Sequence, residues 1–194
     1  MGKVIFGLSD VAYCKMTESV VSGATVISYG NPKKIPGAVS LTLDVEGDDS
    51  DFYADNGVYA TFDANNGFSG ELTIADIPED VYTDLLGCYK DTSSSLITEI
   101  AGAAKAYFGL MFKLSSNSDP VGVKLYKCSL SRPGMSANTT TETTDPDTPT
   151  LTLRVMPIET SSGVSVTKSH QVLTTSSIES TFFGSMTLPT VSVS

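Results

Sequence analysis

The chain has no tryptophan, one histidine and three cysteines in 194 residues, and each scarcity removes a class of function. The cysteines, Cys14, Cys88 and Cys128, are far apart and form no CxxC pair, so neither a disulfide framework nor a zinc knuckle is expected. They read as ordinary reduced residues of an intracellular product. His170 would have to serve any Ser-His-Asp or Cys-His site, yet it lies in the polar run Thr167-Lys168-Ser169-His170-Gln171. No G-x-S-x-G elbow, Walker loop or dinucleotide fingerprint occurs, and Gly67-Phe68-Ser69-Gly70 misses the elbow by one position. The sequence therefore assigns no catalytic residue, no cofactor and no metal.

Basic residues are scarce too. There are 12 Lys and Arg against 22 Asp and Glu, giving a net charge of −10. A nucleic-acid or anionic-membrane binder needs a basic footprint, and only Lys33-Lys34 form an adjacent pair. Long apolar runs are missing: the longest, Ala106–Phe112, is too short to span a bilayer. Val4–Leu8 is too short for a signal peptide and is soon followed by Asp10, while Phe6 stands where a myristoylation start wants Ser or Thr. The expectation is a soluble product that is not secreted by the general route.

What the chain does have is strand pattern. Val39, Leu41, Leu43 and Val45 alternate with Ser40, Thr42, Asp44 and Glu46, the signature of a half-buried antiparallel strand over Ala38–Glu46. Further strands are predicted over Val4–Lys15, Ala24–Tyr29, Gly57–Phe62, Gly70–Ala75, Ala106–Leu114, Val121–Leu130, the alternating Leu151–Val155, and Gly163–Thr167. Asn65-Asn66-Gly67 suggests a hairpin between Gly57–Phe62 and Gly70–Ala75, and Ser115–Pro120 a second one between the strands that flank it.

Two short helices are predicted. Pro78–Leu86 has Pro78 at its first position, Glu79 and Asp80 in the first turn, Val81 and Leu85 four apart, and Gly87 as terminator. The other begins near Ser176, with Ser176 and Glu179 at capping-box spacing and Gly184 at its end. The fold class is mainly β, an antiparallel sandwich or barrel with one flanking helix and a second short C-terminal helix. Residues 1–194 read as one domain, with an acidic loop at 44–56, an exposed polar loop at 136–150 and a C-terminal extension at 168–194.

The acidic loop holds Asp44, Glu46, Asp48, Asp49, Asp51 and Asp55 with no base among them. It is not an EF-hand: Asp49 stands where the turn glycine belongs, and Asp55 replaces the terminal Glu. A solvated loop that touches another subunit is the better reading. Arg132, just before Pro133, can end its strand and supply an ion-pair partner to such a loop. Phe52, Tyr53, Tyr59, Phe62 and Phe68 sit at strand spacing, as core or interface residues would.

The order of several segments resembles the major tail proteins of long-tailed, siphovirus-type bacteriophages of Gram-positive hosts. The matching pieces are IPGAVSLTLDVEG (35–47), DFYADN (51–56), NNGFSGELTIADIPEDVYTDLLG (65–87), FGLMFKL (108–114), and LYKCSLSRP (125–133) leading to TPTLTLRVMPI (148–158). The resemblance implies a subunit that assembles with itself into rings, commonly hexameric, which stack into the tail tube with other tail proteins. It implies location in the virion tail after synthesis in the host cytoplasm. It also implies an inner sheet lining a channel through which DNA passes without specific binding. Related folds build the inner tubes of contractile tails and type VI secretion systems. The alternatives are an adhesive β-sandwich module and, less favoured, the inner tube of a contractile or type VI-like injection system or a small hydrolase built around His170.

Overall fold

The computed structural model describes residues 4–21, 24–47, 50–54, 57–62, 65–135 and 148–191. Asp48, Asp49 and Asp55 of the acidic loop, and most of the polar loop 136–150, lie outside them. The elements in chain order begin with β1 (Ile5–Val21), β2 (Ala24–Tyr29), β3 (Lys33–Lys34), β4 (Ala38–Glu46), β5 (Ser50–Ala54), β6 (Gly57–Phe62) and β7 (Gly67–Ile74). Helix α1 (Glu79–Asp84) follows, then β8 (Tyr89–Lys90), β9 (Ile97–Thr98), β10 (Phe108–Ser116), β11 (Val121–Leu130) and β12 (Thr150–Met156). The chain ends with β13 (Ile158–Glu159), β14 (Ser165–Val166), β15 (Lys168–Val172) and helix α2 (Ser176–Gly184). The fold is mainly β, antiparallel throughout, with two helices, as the strand alternation indicates.

One large sheet runs β2-β1-β10-β11-β12-β7-β4, with β3 added to β1 and β15 to the first half of β11. It curls. β3 pairs with β1 through Lys34↔Ala12 and Lys33↔Tyr13 and passes, three residues later, into β4 at the opposite end of the order. The corner is fixed by the Ile35 N–H donating to the Val11 carbonyl at 2.8 Å and the Ala75 N–H donating to the Gly37 carbonyl at 2.8 Å. Inside the curl lies the main core: Val11 and Tyr13 from β1, Phe108 and Leu110 from β10, Leu125 from β11, Leu151 and Leu153 from β12, and Leu72 and Ile74 from β7.

Helix α1 closes this core. Val81 and Leu85 are completely buried, and Tyr82 packs beside them, so the four-residue spacing reports the buried face correctly. Pro78 sits one position earlier than expected, as the extended N-cap, and its carbonyl accepts from the Val81 N–H at 2.9 Å. Gly87 ends the helix with φ +73°, a conformation that costs glycine little.

A second, smaller core lies on the opposite face of the same sheet. Ala12, Cys14 and Met16 alternate with the main-core residues of β1, and Met111 and Tyr126 join them. The C-terminal segment covers them with Phe183, Met186 and Leu188. Two strand glycines provide the seats. A Cβ on Gly122 would lie 2.6 Å from the Phe182 ring, and one on Gly109 would lie 2.6 Å from the Met186 methyl. The extension at 168–194, whose role the sequence leaves open, is thus a structural cover as far as Val191 is described. It begins with a strand, β15, that the sequence pattern does not reveal.

Three expectations need correction. β6 does not pair with β7; it pairs with β5, and β7 pairs with β4 and β12, so Asn65-Asn66-Gly67 returns the chain to β4. The Asn66 N–H donates to the Glu46 carbonyl at 2.8 Å, which makes β5 and β6 a ribbon inserted into a β4–β7 hairpin. Helix α2 is capped by Thr175, whose Oγ1 accepts from the Ile178 N–H at 3.3 Å, and the Glu179 carboxylate reaches Lys113 at 2.7 Å instead of the helix start. Val39 and Val45 are 58% and 72% exposed, because β4 is an edge strand with a register shift near Ala38 and the core does not extend past Leu43.

Leu85→Ala is expected to cost about 2–5 kcal/mol, since it empties a fully buried site under the sheet. A thermal melt reads this directly, and a midpoint unchanged from the parent would mean that α1 does not seal the core.

Candidate assembly surfaces

The acidic segment divides when it is placed on the fold. Asp44 and Glu46 are the last outward-facing residues of β4, Asp51 belongs to β5 opposite Thr61, and Asp48, Asp49 and Asp55 are not described. Glu46 is engaged within the chain: its Oε2 accepts from Arg154 of β12 at 3.2 Å. The base that meets the acidic end of β4 is therefore Arg154. Arg132 lies elsewhere, in the loop after β11, where it pairs with Glu99 and lines a cavity of about 580 Å³ with Ile77, Tyr82, Cys88 and Met135. Burial pushes the Cys88 thiol up, and Glu99 adds to the effect. Arg154 is visible in the sequence only as the polar member of an alternating strand, so nothing there singles it out.

His170 is exposed on β15, opposite Val123 of β11. Among the described residues no hydrogen bond or ion pair links it to a hydroxyl or a carboxylate, and no cluster of three or more metal-ligating side chains occurs.

The surface features that stand out are apolar. At one end of the large sheet, β4 has no partner beyond β7 among the described residues, and it presents Val39 and Val45 without a Lys or Pro in its nine residues. At the other end, β2 is also unpaired on its outer side, and the β1–β2 hairpin carries exposed Val20, Val21 and Val26. Folded proteins usually blunt such edges with charge, proline or a bulge, because an open ladder is a template for another strand. The β5–β6 ribbon adds exposed Tyr53 and Tyr59, whereas Phe68 is buried, so the aromatic set divides between surface and core.

The described charges are mostly neutralised locally. Asp84, at the end of α1, accepts from Lys33 at 2.8 Å and from the Tyr13 hydroxyl at 3.0 Å, and Lys15 lies 3.9 Å away. Burial alone would raise the Asp84 carboxyl, but the hydrogen bonds from Lys33 and Tyr13 outweigh it and hold the group below the ordinary carboxylate range. Burial, reinforced by Asp84, drives the Tyr13 phenol up. On the other face, Lys113 bridges Asp10 and Glu179, tying α2 to β1 and β10. Lys124, its charge disfavoured by burial, lies 4.5 Å over the Phe182 ring and donates to the Ser185 carbonyl at 2.8 Å. Burial lifts the Cys14 thiol to about 11, which suits an inert core residue.

No protein-family model matches the chain, and the search of curated proteins finds no match either.

The Asp84 node makes a pH prediction. A depressed folded-state pKa stabilises the protein above the unfolded value, and that stabilisation is lost as pH falls through the folded one. Asp84→Asn is expected to cost about 1 kcal/mol at pH 7, a modest figure because Lys33 is half exposed. The gap between variant and parent melting temperatures should close as pH drops below about 4, the ordinary aspartate range. A gap that stays constant into acid would show that the carboxylate charge contributes nothing.

Proposed function

We propose that the chain is a structural subunit that assembles with copies of itself into stacked rings forming a tube, the inert conduit of a phage-type tail. The observation that carries this reading is the open edge of β4, whose exposed valines flank the stretch between its register shift and its acidic end. A nine-residue edge strand with two exposed valines, no lysine or proline, and its two acids gathered at one end is a hazard in a monomer and a joint in an assembly. The second open edge, on β2, lies at the other end of the sheet order. Two different edges on one subunit favour head-to-tail contacts, which close into rings when the rotation allows.

The electrostatics are consistent with a conduit for DNA. A passage that held phosphates would gain counterion-release energy at each lysine or arginine and stall its cargo. Here most described bases are already paired within the subunit: Lys33 with Asp84, Lys90 with Glu79, Lys113 with Asp10 and Glu179, Lys127 with Glu18, Arg132 with Glu99 and Arg154 with Glu46. The resemblance of segments 35–47, 65–87 and 125–133 to tail-tube subunits supplies the biological setting. The acidic end of β4 and the β5–β6 ribbon are the natural contacts with adjacent subunits, and Arg132 on its own loop is a further one. An adhesive β-module is the second reading. It is favoured by the exposure of Tyr53 and Tyr59 on a projecting ribbon.

Electron microscopy of the concentrated protein tests the first reading, with rings or tubes of uniform diameter as the expected result. The double variant Val39→Lys, Val45→Lys should remain folded, with stability changed by about 0.5 kcal/mol or less, and should lose assembly. Normal tubes from that variant would remove β4 as the joint. Dispersed subunits that bind an immobilised glycan through Tyr53 and Tyr59 would favour the adhesive module.

The subunit is also expected to show no measurable affinity for duplex DNA near physiological salt. An anisotropy titration decides the matter, and salt-sensitive binding at micromolar protein would replace the inert conduit with a nucleic-acid-binding role.

A further inference from the structure

We propose that the C-terminal cover is a strap: residues 174–191 swing off the second face of the sheet as a unit while the main core stays folded. The device belongs to the single subunit and does not depend on the tube reading. Its hinge is Leu173, which is buried and whose N–H donates to the Pro120 carbonyl at 2.8 Å. Just before it, β15 is laddered to β11 from Lys168 to Val172. Beyond Leu173, among the described residues, no main-chain hydrogen bond joins the segment to the rest of the chain.

Side-chain contacts hold it instead. From Ser176 onward only Phe182 and Met186 are buried, and the Phe182 ring lies over Gly122. Two lysines on neighbouring strands grip the two ends of α2. Lys113 of β10 binds Glu179 of the first turn at 2.7 Å, and Lys124 of β11 donates to the Ser185 carbonyl at 2.8 Å, both signs suiting the helix dipole. Further on, the Ser162 hydroxyl donates to the Val191 carbonyl at 2.8 Å. The helix adds little of its own: Ser180 and Thr181 turn their hydroxyls onto the Ser176 and Ser177 carbonyls, a local bonding that competes with helix. Nine residues are also too few for a helix to persist once undocked. Undocking and unwinding therefore occur together.

Packing beneath the helix is incomplete. A cavity of about 370 Å³ separates α2 from β1 and the β3 corner, lined by Ala12, Pro32 and Lys34 below and by Ser180 and Phe183 above. The main core, by contrast, is closed by laddered strands and by α1. Two buried side chains and a few partly exposed polar contacts yield before a laddered core does, so the strap opens at a fraction of the cost of global unfolding. Opening bares Ala12, Cys14, Met16, Met111 and Tyr126, with Lys113 and Lys124 released beside them. The closed strap is thus an autoinhibitory cover over an apolar face bordered by two cations.

Two native thiols test this. Cys14 is buried in the second core and Cys128 in the main core, and burial raises both thiols, so neither reacts while covered. The full chain is treated with N-ethylmaleimide under native conditions, and the labelling of each cysteine is followed by peptide mass, with the half-buried Cys88 as the fast reference. Cys14 should react well ahead of Cys128. Its rate should climb only shallowly with urea, because opening exposes one short segment, while that of Cys128 climbs steeply with whole-molecule unfolding. Two variants loosen the strap from opposite sides. Gly122→Ala drives a Cβ to 2.6 Å from the Phe182 ring, and Glu179→Gln, on the partly exposed side of α2, removes the charge that Lys113 holds. Each should speed Cys14 about fivefold and leave Cys128 unchanged. Equal rates and equal urea dependence for Cys14 and Cys128 in the parent would show that the cover opens only when the whole subunit unfolds. A faster Cys14 that neither variant accelerates would show that something other than the strap admits the reagent. Either result overturns the proposal.

Discussion

Every strand has two sides, and a sheet survives in water only if each apolar side is covered. In this chain β1, β10 and β11 are apolar on both sides at their centres, whereas β4, β7 and β12 are apolar on one. That asymmetry decides the architecture. The sheet curls so that one apolar face closes on itself under α1, and the doubly apolar half needs a second cover, which the C-terminal segment provides. Gly122 seats that cover, because a Cβ there would run into the Phe182 ring, and Gly109 leaves room for the end of Met186. The singly apolar half is left with a bare polar face and an unpaired edge.

The ion pairs fall at the joins between these layers. Asp84 fastens α1 to β1 and β3, and Lys113 fastens α2 to β1 and β10. Each is partly exposed, so each contributes modestly to stability while fixing where its helix sits. The cores do the larger share: the fully buried Tyr13, Phe108, Leu72, Leu110, Leu151 and Leu153 come from four different strands.

Much of this was legible in the residues. Period-two alternation located β4 and β12, apolar content either side of the Ser115–Pro120 turn located β10 and β11, and the Val81–Leu85 spacing identified the buried face of α1. Connectivity was harder, because Asn65-Asn66-Gly67 signals a turn without saying which strand receives it, and the inserted ribbon displaced the pairing by one hairpin. β15 was hidden because Lys168–Val172 is polar, being held by ladder bonds to β11 and not by burial. The surfaces were the least legible part. Exposure of Val39 and Val45 depends on where the core stops, and the pairing of Arg154 with Glu46 depends on two strands 108 residues apart coming together across β7. Neither has a local signature.

The position of β12 between β7 and β11 also sets a timetable. Until β12 is made, the β4–β7 hairpin is tied to β1 only through the short β3 corner, and no ladder joins β7 to β11. Synthesis must therefore pass residue 150 before the β7–β12–β11 ladder can form, and the segment that seals the second core is later still. Strand pairings of such long sequence separation form slowly. The second edge of β7 therefore stays uncovered until residues 150–156 are in place, which makes late synthesis the interval in which wrong pairings are most open to this chain.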